Sequence, residues 1–141
     1  MRSQKFARRG QAVVEFALVL PLVLILVISV FEFARAWNIQ QVLTDAAREG
    51  ARVAVVGSGN QEAAGVIQTK VQAAIDNAVS VAGIDPSDVT LQLDGEELGR
   101  GNPATVRLAL PYRFTFLGPL MGWTIGKSSL TLRTSITMRN E

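Results

Sequence analysis

The sequence contains neither cysteine nor histidine among its 141 residues. Their absence excludes disulfide bonds, thiol nucleophiles, imidazole bases and the zinc sites that these side chains usually form. The acidic residues show no spacing in the sequence that is typical of a catalytic site. Asp94, Glu96 and Glu97 lie in a polar, glycine-rich connection, but their spacing matches no calcium-loop pattern, so a solvated loop is favoured. We therefore predict that the chain is not an enzyme and binds no metal or cofactor.

Positive charge is in excess only because of the first nine residues. The formal net charge is +2, and Arg2, Lys5, Arg8 and Arg9 contribute four positive charges. Without them the chain has ten basic and twelve acidic side chains. A basic cluster beside an apolar segment usually stays on the cytoplasmic side of a membrane. A nucleic-acid-binding arm is the alternative, but no basic or aromatic surface downstream supports it. No nucleic acid and no small-molecule substrate is predicted.

One long apolar run follows this leader. Residues 12–31 contain a single charged residue, Glu15. A helix of that length spans roughly 30 Å, about the thickness of a hydrocarbon core. We predict one transmembrane segment over 12–31, with its N-terminus in the cytoplasm and the following domain outside. Pro21 removes one helical hydrogen bond, which predicts a local kink or loosening.

Three interpretations of this segment compete. A secretory signal peptide would be cut near residues 34–36, but Glu32 and Arg35 make that region a poor cleavage site. An ordinary uncleaved anchor is the second. Neither explains a carboxylate at the start of the apolar run, where an ionisable group is costly and points to a function. The third interpretation is cleavage between Gly10 and Gln11, and it explains why a carboxylate stands at Glu15.

Such cleavage would give Gln11 a charged amine, with Glu15 as the fifth residue of the mature chain. The amine of one subunit and the Glu15 carboxylate of its neighbour could neutralise each other in lipid and set the axial stagger between subunits. The simpler alternative is that Glu15 reaches back to the lipid headgroups.

A short basic leader, then Gly10, then Glu15 and Phe16 opening an apolar run, resembles the type IV prepilin processing site. More specifically, the segment is similar to the TadE-like minor pilins of Tad (Flp) pilus systems. The resemblance implies a minor pilin or pseudopilin that is held in the inner membrane, cut by a membrane prepilin peptidase, and assembled with other major and minor pilins on the Tad platform. Methylation of Gln11 would follow related pilins, although the usual residue there is Phe. The matching stretches are RGQAVVEFALVLP at 9–21, EFARA at 32–36 and AAREGAR at 46–52.

The first helix is predicted to continue beyond the membrane. Residues 11–56 would form one helix of roughly 69 Å, a length that suits a rod packed beside copies of itself. Ala46, Gly50 and Ala54 form a row of small residues that allows close approach by a partner. That partner is either the protein's own sheet, which we favour, or a second subunit. Residues 57–60 should end the helix, with the glycines adopting positive φ.

The remaining residues, 57–141, predict a small α+β domain. Residues 61–82 have helical periodicity, and three later segments alternate apolar and polar residues as in an antiparallel sheet with one buried face. Pro111 requires an edge or a bulge. Residues 117–123 are apolar but too broken for a strand, and we favour core packing over an exposed contact patch. The predicted fold is therefore α+β and pilin-like. The predicted core comprises Ile67, Val71, Ile75, Leu91, Leu108, Leu110, Leu132 and Ile136.

The predicted organisation is thus a leader over 1–10, a long helix over 11–56 and an outer domain over 57–141. The competing function is an uncleaved, single-pass anchor that carries a periplasmic binding domain and does not polymerise.

Overall fold

The computed structural model of the protein describes residues 2–95, 103–126 and 128–139. Its first element is helix α1, Arg2–Gly59, which runs for 58 residues and therefore about 87 Å without a break. The α-helix continues through Pro21. The predicted α+β class, with a long N-terminal helix and a three-stranded antiparallel sheet, is confirmed.

The end of α1 differs from the prediction. The helix passes through Gly57 and ends at Gly59, and the residue with positive φ is Gln61, at 57°. The glycines do not provide that conformation. Gly57 has a different role, because a Cβ there would lie 2.8 Å from Cγ1 of Ile67. Close approach of the next helix, rather than a turn, requires a glycine at this position.

Helix α2, Ala64–Val81, runs back along α1 and buries Ile67, Val71, Ile75 and Val79. Its C-terminus is closed by a Schellman motif, as the glycine after the predicted helix suggests. The amide of Gly83, whose φ is 74°, donates to the Ser80 carbonyl, and the amide of Ile84 donates to the Val79 carbonyl.

The sheet follows a 3₁₀ turn at Pro86–Asp88. Strands β1 (Thr90–Asp94), β2 (Pro103–Arg113) and β3 (Ser129–Arg139) are antiparallel in the order β1-β2-β3. Asp94 forms an ion pair with Arg107 of β2. Glu96 and Glu97, the other two acids of the candidate calcium loop, lie outside the described residues.

The predicted edge at Pro111 is confirmed. Strand β1 pairs with β2 only as far as Thr90 opposite Ala109, whereas β2 continues to pair with β3 through Pro111 opposite Thr131. The β1 side of β2 is therefore unpaired at Pro111, which fits a residue that has no amide proton to donate to a ladder.

The connection between β2 and β3 contains a third helix that the sequence did not predict, α3, Leu117–Ile125. Leu117 and Met121 pack against the core, but Phe116 and Trp123 are exposed. The favoured interpretation of residues 117–123 as core is therefore only partly right. The glycines and the proline are accommodated in a short helix, which ends at Gly126 with a φ of 68°.

The core lies between the second half of α1, helix α2 and one face of the sheet. All eight predicted core residues are found in it, six of them buried and Leu91 and Ile136 packed against it in partly buried positions. The alternation over β2 is confirmed, because Val106, Leu108, Leu110 and Tyr112 are all buried. The largest fully buried side chain of α1 is that of Leu43.

Candidate membrane anchor and processing segment

The first half of α1 has no protein partner within the chain. From Gly10 to Val27 every side chain is exposed, and none of the most apolar window of the helix is buried. By length and composition, α1 contains one stretch that can cross a membrane. The Ser29 hydroxyl donates to the Ile25 carbonyl at 2.7 Å, which satisfies it inside the helix. This surface needs lipid or another helix to cover it.

Gln11, the second residue of the predicted processing site, forms a hydrogen bond with Glu15. The Gln11 side-chain amide donates to Oε1 of Glu15 at 2.9 Å, one helical turn further on. Gly10 stands immediately before Gln11 with no atom near the position that a Cβ would occupy. The bond between Gly10 and Gln11 therefore lies on an open part of the helix surface among the described residues.

A second carboxylate, Glu32, stands where the exposed apolar run ends. Its side chain is only 5% exposed. Oε2 accepts a hydrogen bond from the Thr115 amide at 3.0 Å, and Oε1 accepts one from the Phe116 amide at 3.3 Å. These amides lie at the start of α3, where backbone N–H groups have no helical partner. Glu32 therefore ties α1 to the turn between β2 and α3.

Aromatic rings surround this contact. Phe33 and Tyr112 both meet Phe114 edge to face, with ring centroids 6.0 and 5.2 Å apart. Burial raises the pKa of Tyr112, and the nearby negative charge of Glu32 raises it further, although Arg35 opposes the shift. The phenol is therefore neutral at physiological pH. Its hydroxyl has no hydrogen-bond partner among the described residues.

Sequence reasoning missed the role of Glu32. Its partners are more than eighty positions away in the chain, so no local motif identifies them. The available signal was its place directly after an uncharged run, because a carboxylate at the edge of an apolar segment requires polar partners.

The row of small residues on α1 lies inside the folded domain. Ala46, Gly50 and Ala54 are all buried. A Cβ at Gly50 would lie 3.0 Å from Cδ1 of Ile75 and 3.4 Å from Cγ1 of Val71. The close neighbour of Gly50 is thus α2, rather than the sheet that we favoured, because α2 runs antiparallel along this side of α1.

The exposed face of the same helical region has local ion pairs. Arg52 binds both carboxylate oxygens of Glu49, at 2.6 and 3.0 Å, and this contact lowers the pKa of Glu49. Arg48 pairs with Asp45 at 2.9 Å. These charges neutralise each other along the helix, as the spacing of Glu49 and Arg52 suggests.

Gly57 provides a test of the close approach between α1 and α2. Gly57→Ala should lower the free energy of unfolding by about 1–2 kcal/mol, since its methyl group would overlap the fully buried Ile67 and this outweighs the gain in helix propensity. Urea titration of the detergent-solubilised protein, followed by circular dichroism, measures the change.

Gly65→Ala is the matched control, because Gly65 lies in a helix with no atom near its added Cβ. It should raise stability by about 0.5–1 kcal/mol through helix propensity. Equal effects of the two substitutions would show that the approach of Ile67 to Gly57 does not limit packing.

Comparison with known protein families gives a match in the N-terminal part of the chain. The family model described as TadE-like protein matches residues 10–52. The chain carries a TadE-like segment. The predicted resemblance to TadE-like proteins is confirmed over that part of the chain, which is under a third of its length. The family indicates a Tad-pilus-associated protein with an N-terminal apolar helix. No curated protein and no solved structure gives a significant match.

The TadE-like segment contains most of the features described above. It begins at Gly10, includes Gln11, Glu15, Pro21 and Glu32, and extends through Gly50. Ala54 lies two residues beyond it. The segment therefore includes the exposed apolar half of α1 and most of the part of α1 that packs into the domain core.

Outside this segment the sheet has an open depression. Gln92, Arg107, Arg133 and Ser135 are among the residues that line it, together with Leu108 and Ala109. Within the described ranges 2–95, 103–126 and 128–139, no three acidic side chains are grouped closely enough to hold a metal ion.

Proposed function

We propose that this chain is a minor pilin or pseudopilin, a structural subunit that assembles or primes a Tad-type adhesive pilus. It is inserted in the inner membrane with its N-terminus in the cytoplasm and its outer domain in the periplasm. A prepilin peptidase cuts it between Gly10 and Gln11. Its partners are that peptidase, other major and minor pilins, the Tad assembly platform and membrane lipid. It has no catalytic activity of its own and takes no cofactor.

The observation that carries this proposal is the apolar half of α1, which is unpartnered and continuous with the domain core. A plain anchor needs only a membrane span, but here the same continuous helix also contributes to the domain core from Ala36 onward. A helix that is exposed over residues 10–27 offers a long side for lateral packing against copies of itself. The TadE-like match over residues 10–52 supports the same interpretation.

The position of Glu15 supports a role in subunit register. In the intact chain its carboxylate accepts a hydrogen bond from Gln11. Cleavage would turn the backbone of Gln11 into an amine about 6 Å along the axis from Glu15, at ~1.5 Å per residue. An unpaired carboxylate in lipid is costly, so a neighbour's amine at the matching height stabilises one stagger over others.

Processing is tested by Gly10→Val in cells that express the prepilin peptidase. We expect the wild-type protein to be extracted from membranes with an N-terminus at Gln11, and the variant to keep its leader. Because nothing packs against Gly10, loss of cleavage in the variant would reflect recognition by the peptidase rather than misfolding. N-terminal sequencing and intact mass measure the result.

Gly65→Val places the same side chain on α2, at a position that is open around its Cβ, and should be processed like the wild type. A wild-type protein that starts at Met1 would favour the uncleaved anchor with a binding domain. A start after Ala36 would identify a signal peptide. Either result would contradict the pilin proposal.

A further inference from the structure

Helix α3 lies at the end of the domain that is nearest the apolar half of α1. Strand β2 ends at Arg113, opposite Ser129 at the start of β3, and α3 lies in the connection between them. The hydrogen bonds from the Thr115 and Phe116 amides to Glu32 place the start of α3 level with that residue. Glu32 directly follows Phe31, where the predicted membrane span ends. The start of α3 is therefore at the height of the membrane surface.

The connection also has an unusual composition for a surface segment. None of the thirteen residues from Phe114 to Gly126 is charged. Leu117 and Met121 pack against the domain core, whereas Phe116 is 70% exposed and Trp123 is 86% exposed. One side of helix α3 thus packs against the domain core. Two large aromatic side chains, at the start of α3 and within it, are exposed in the described part of the chain.

We propose that α3 is a second membrane contact, which lies in the headgroup region of the bilayer beside the point where α1 leaves it. Tryptophan rings are favoured at this depth. Helices that lie in the interface bury Trp, Phe and Leu side chains at the boundary between headgroups and acyl chains. Phe33 of α1, whose ring meets that of Phe114 at the start of this connection, is also exposed. This inference rests on the membrane anchoring of α1 that the proposed function includes.

Lipid fits this surface better than a second copy of the chain does. The position of α3 beside Glu32 puts its aromatic side chains at a height where lipid headgroups surround any isolated subunit. A protein partner would have to displace that lipid. The depression lined in part by Arg107 and Arg133 is a separate surface, on the sheet.

Fluorescence of Trp123 tests the proposal in the full-length protein reconstituted in phosphatidylcholine vesicles. Trp37→Phe leaves Trp123 as the only tryptophan. In vesicles with bromine atoms near the headgroup end of the acyl chains, we expect Trp123 to lose at least half of its fluorescence relative to unbrominated vesicles. Bromine atoms near the chain ends should quench it much less.

The matched control removes both native tryptophans and adds one by Val66→Trp. Val66 is next to Ile67, which lies against Gly57 of α1. Gly57 is roughly 39 Å along α1 from Phe31, at ~1.5 Å per residue, so Val66 is far from the membrane end of the helix. Tryptophan at this position should not be quenched by brominated lipid, and water-soluble acrylamide should quench it freely. Flotation of the same vesicles shows whether α1 anchors the protein.

Protein that floats with the vesicles while Trp123 resists brominated lipid would overturn the proposal for α3 and leave the anchoring by α1 intact. Blue-shifted Trp123 emission without lipid quenching, which strengthens at higher protein density, would instead identify a second copy as the occupant. Protein that fails to float would contradict both the anchoring and the α3 contact. None of these outcomes depends on pilus assembly or on cleavage after Gly10.

Discussion

Glu32→Ala should lower the free energy of unfolding by about 2 kcal/mol, because it removes a charged acceptor from two hydrogen bonds in a buried position. The Thr115 and Phe116 amides would lose their partner, and the start of α3 would separate from α1. Urea titration of the solubilised protein gives the global effect. Hydrogen exchange of peptides that cover residues 114–126 gives the local one, which should be a clear loss of protection.

Two further variants separate charge from position. Glu32→Gln keeps the shape and one acceptor oxygen but turns an amide group toward a backbone donor, so its stability should fall between those of wild type and Glu32→Ala. Glu49→Ala removes a carboxylate from the exposed side of the same helix and should leave both stability and exchange nearly unchanged. Unchanged protection of residues 115–116 in Glu32→Ala would show that Glu32 does not hold this turn.

Glu15→Ala should leave cleavage after Gly10 intact and reduce incorporation into pili by about tenfold or more, since a tenfold change corresponds to ~1.4 kcal/mol of lost pairing. The physical reason is that the Gln11 amine of a neighbouring subunit would have no carboxylate to meet in lipid. Immunoblots of sheared pili against the membrane fraction measure the ratio. This prediction rests on the proposed function.

Glu15→Gln is the decisive companion. It keeps the length of the side chain and an oxygen that can accept the Gln11 hydrogen bond seen in the intact chain, but it carries no charge. If charge pairing sets the stagger, this variant should fail as Glu15→Ala does. Wild-type assembly by either variant would exclude the register role. Glu15 is exposed and far from the core, so the stability of the outer domain should stay unchanged and provides an internal check.

Periodicity predicted the parts of the fold in which each residue's environment repeats along its own element. The alternation from Val106 to Tyr112 follows directly from a strand with one buried face, and the buried face of α2 follows from its 3.6-residue period. The apolar run over 12–31 was equally clear. In these segments the chain needs no distant partner to reveal which side is buried.

Other features depend on contacts between distant parts of the chain. The sequence predicts that Gly57 is a turn residue, but the close approach of Ile67 from another helix is what requires a glycine there. The neighbour of Gly50 is α2 for a similar reason. The apolar composition of residues 117–123 suited both core and surface, and only the position of the β2–β3 connection beside Glu32 shows which side chains are left exposed. Sequence alone does not supply these distances.

Helix α1 runs from the apolar half into the domain core with no hinge between them. In the membrane-anchored subunit that we propose, any tilt of the apolar half of α1 would therefore be passed on to the folded domain. A tilt of about 20°, common for single spans, would carry the level of Gly57 roughly 13 Å sideways at a height of ~39 Å. Rotation of the helix about its axis would turn the sheet through the same angle. Small changes in how the membrane end packs are thus magnified at the outer end, where neighbouring domains would meet.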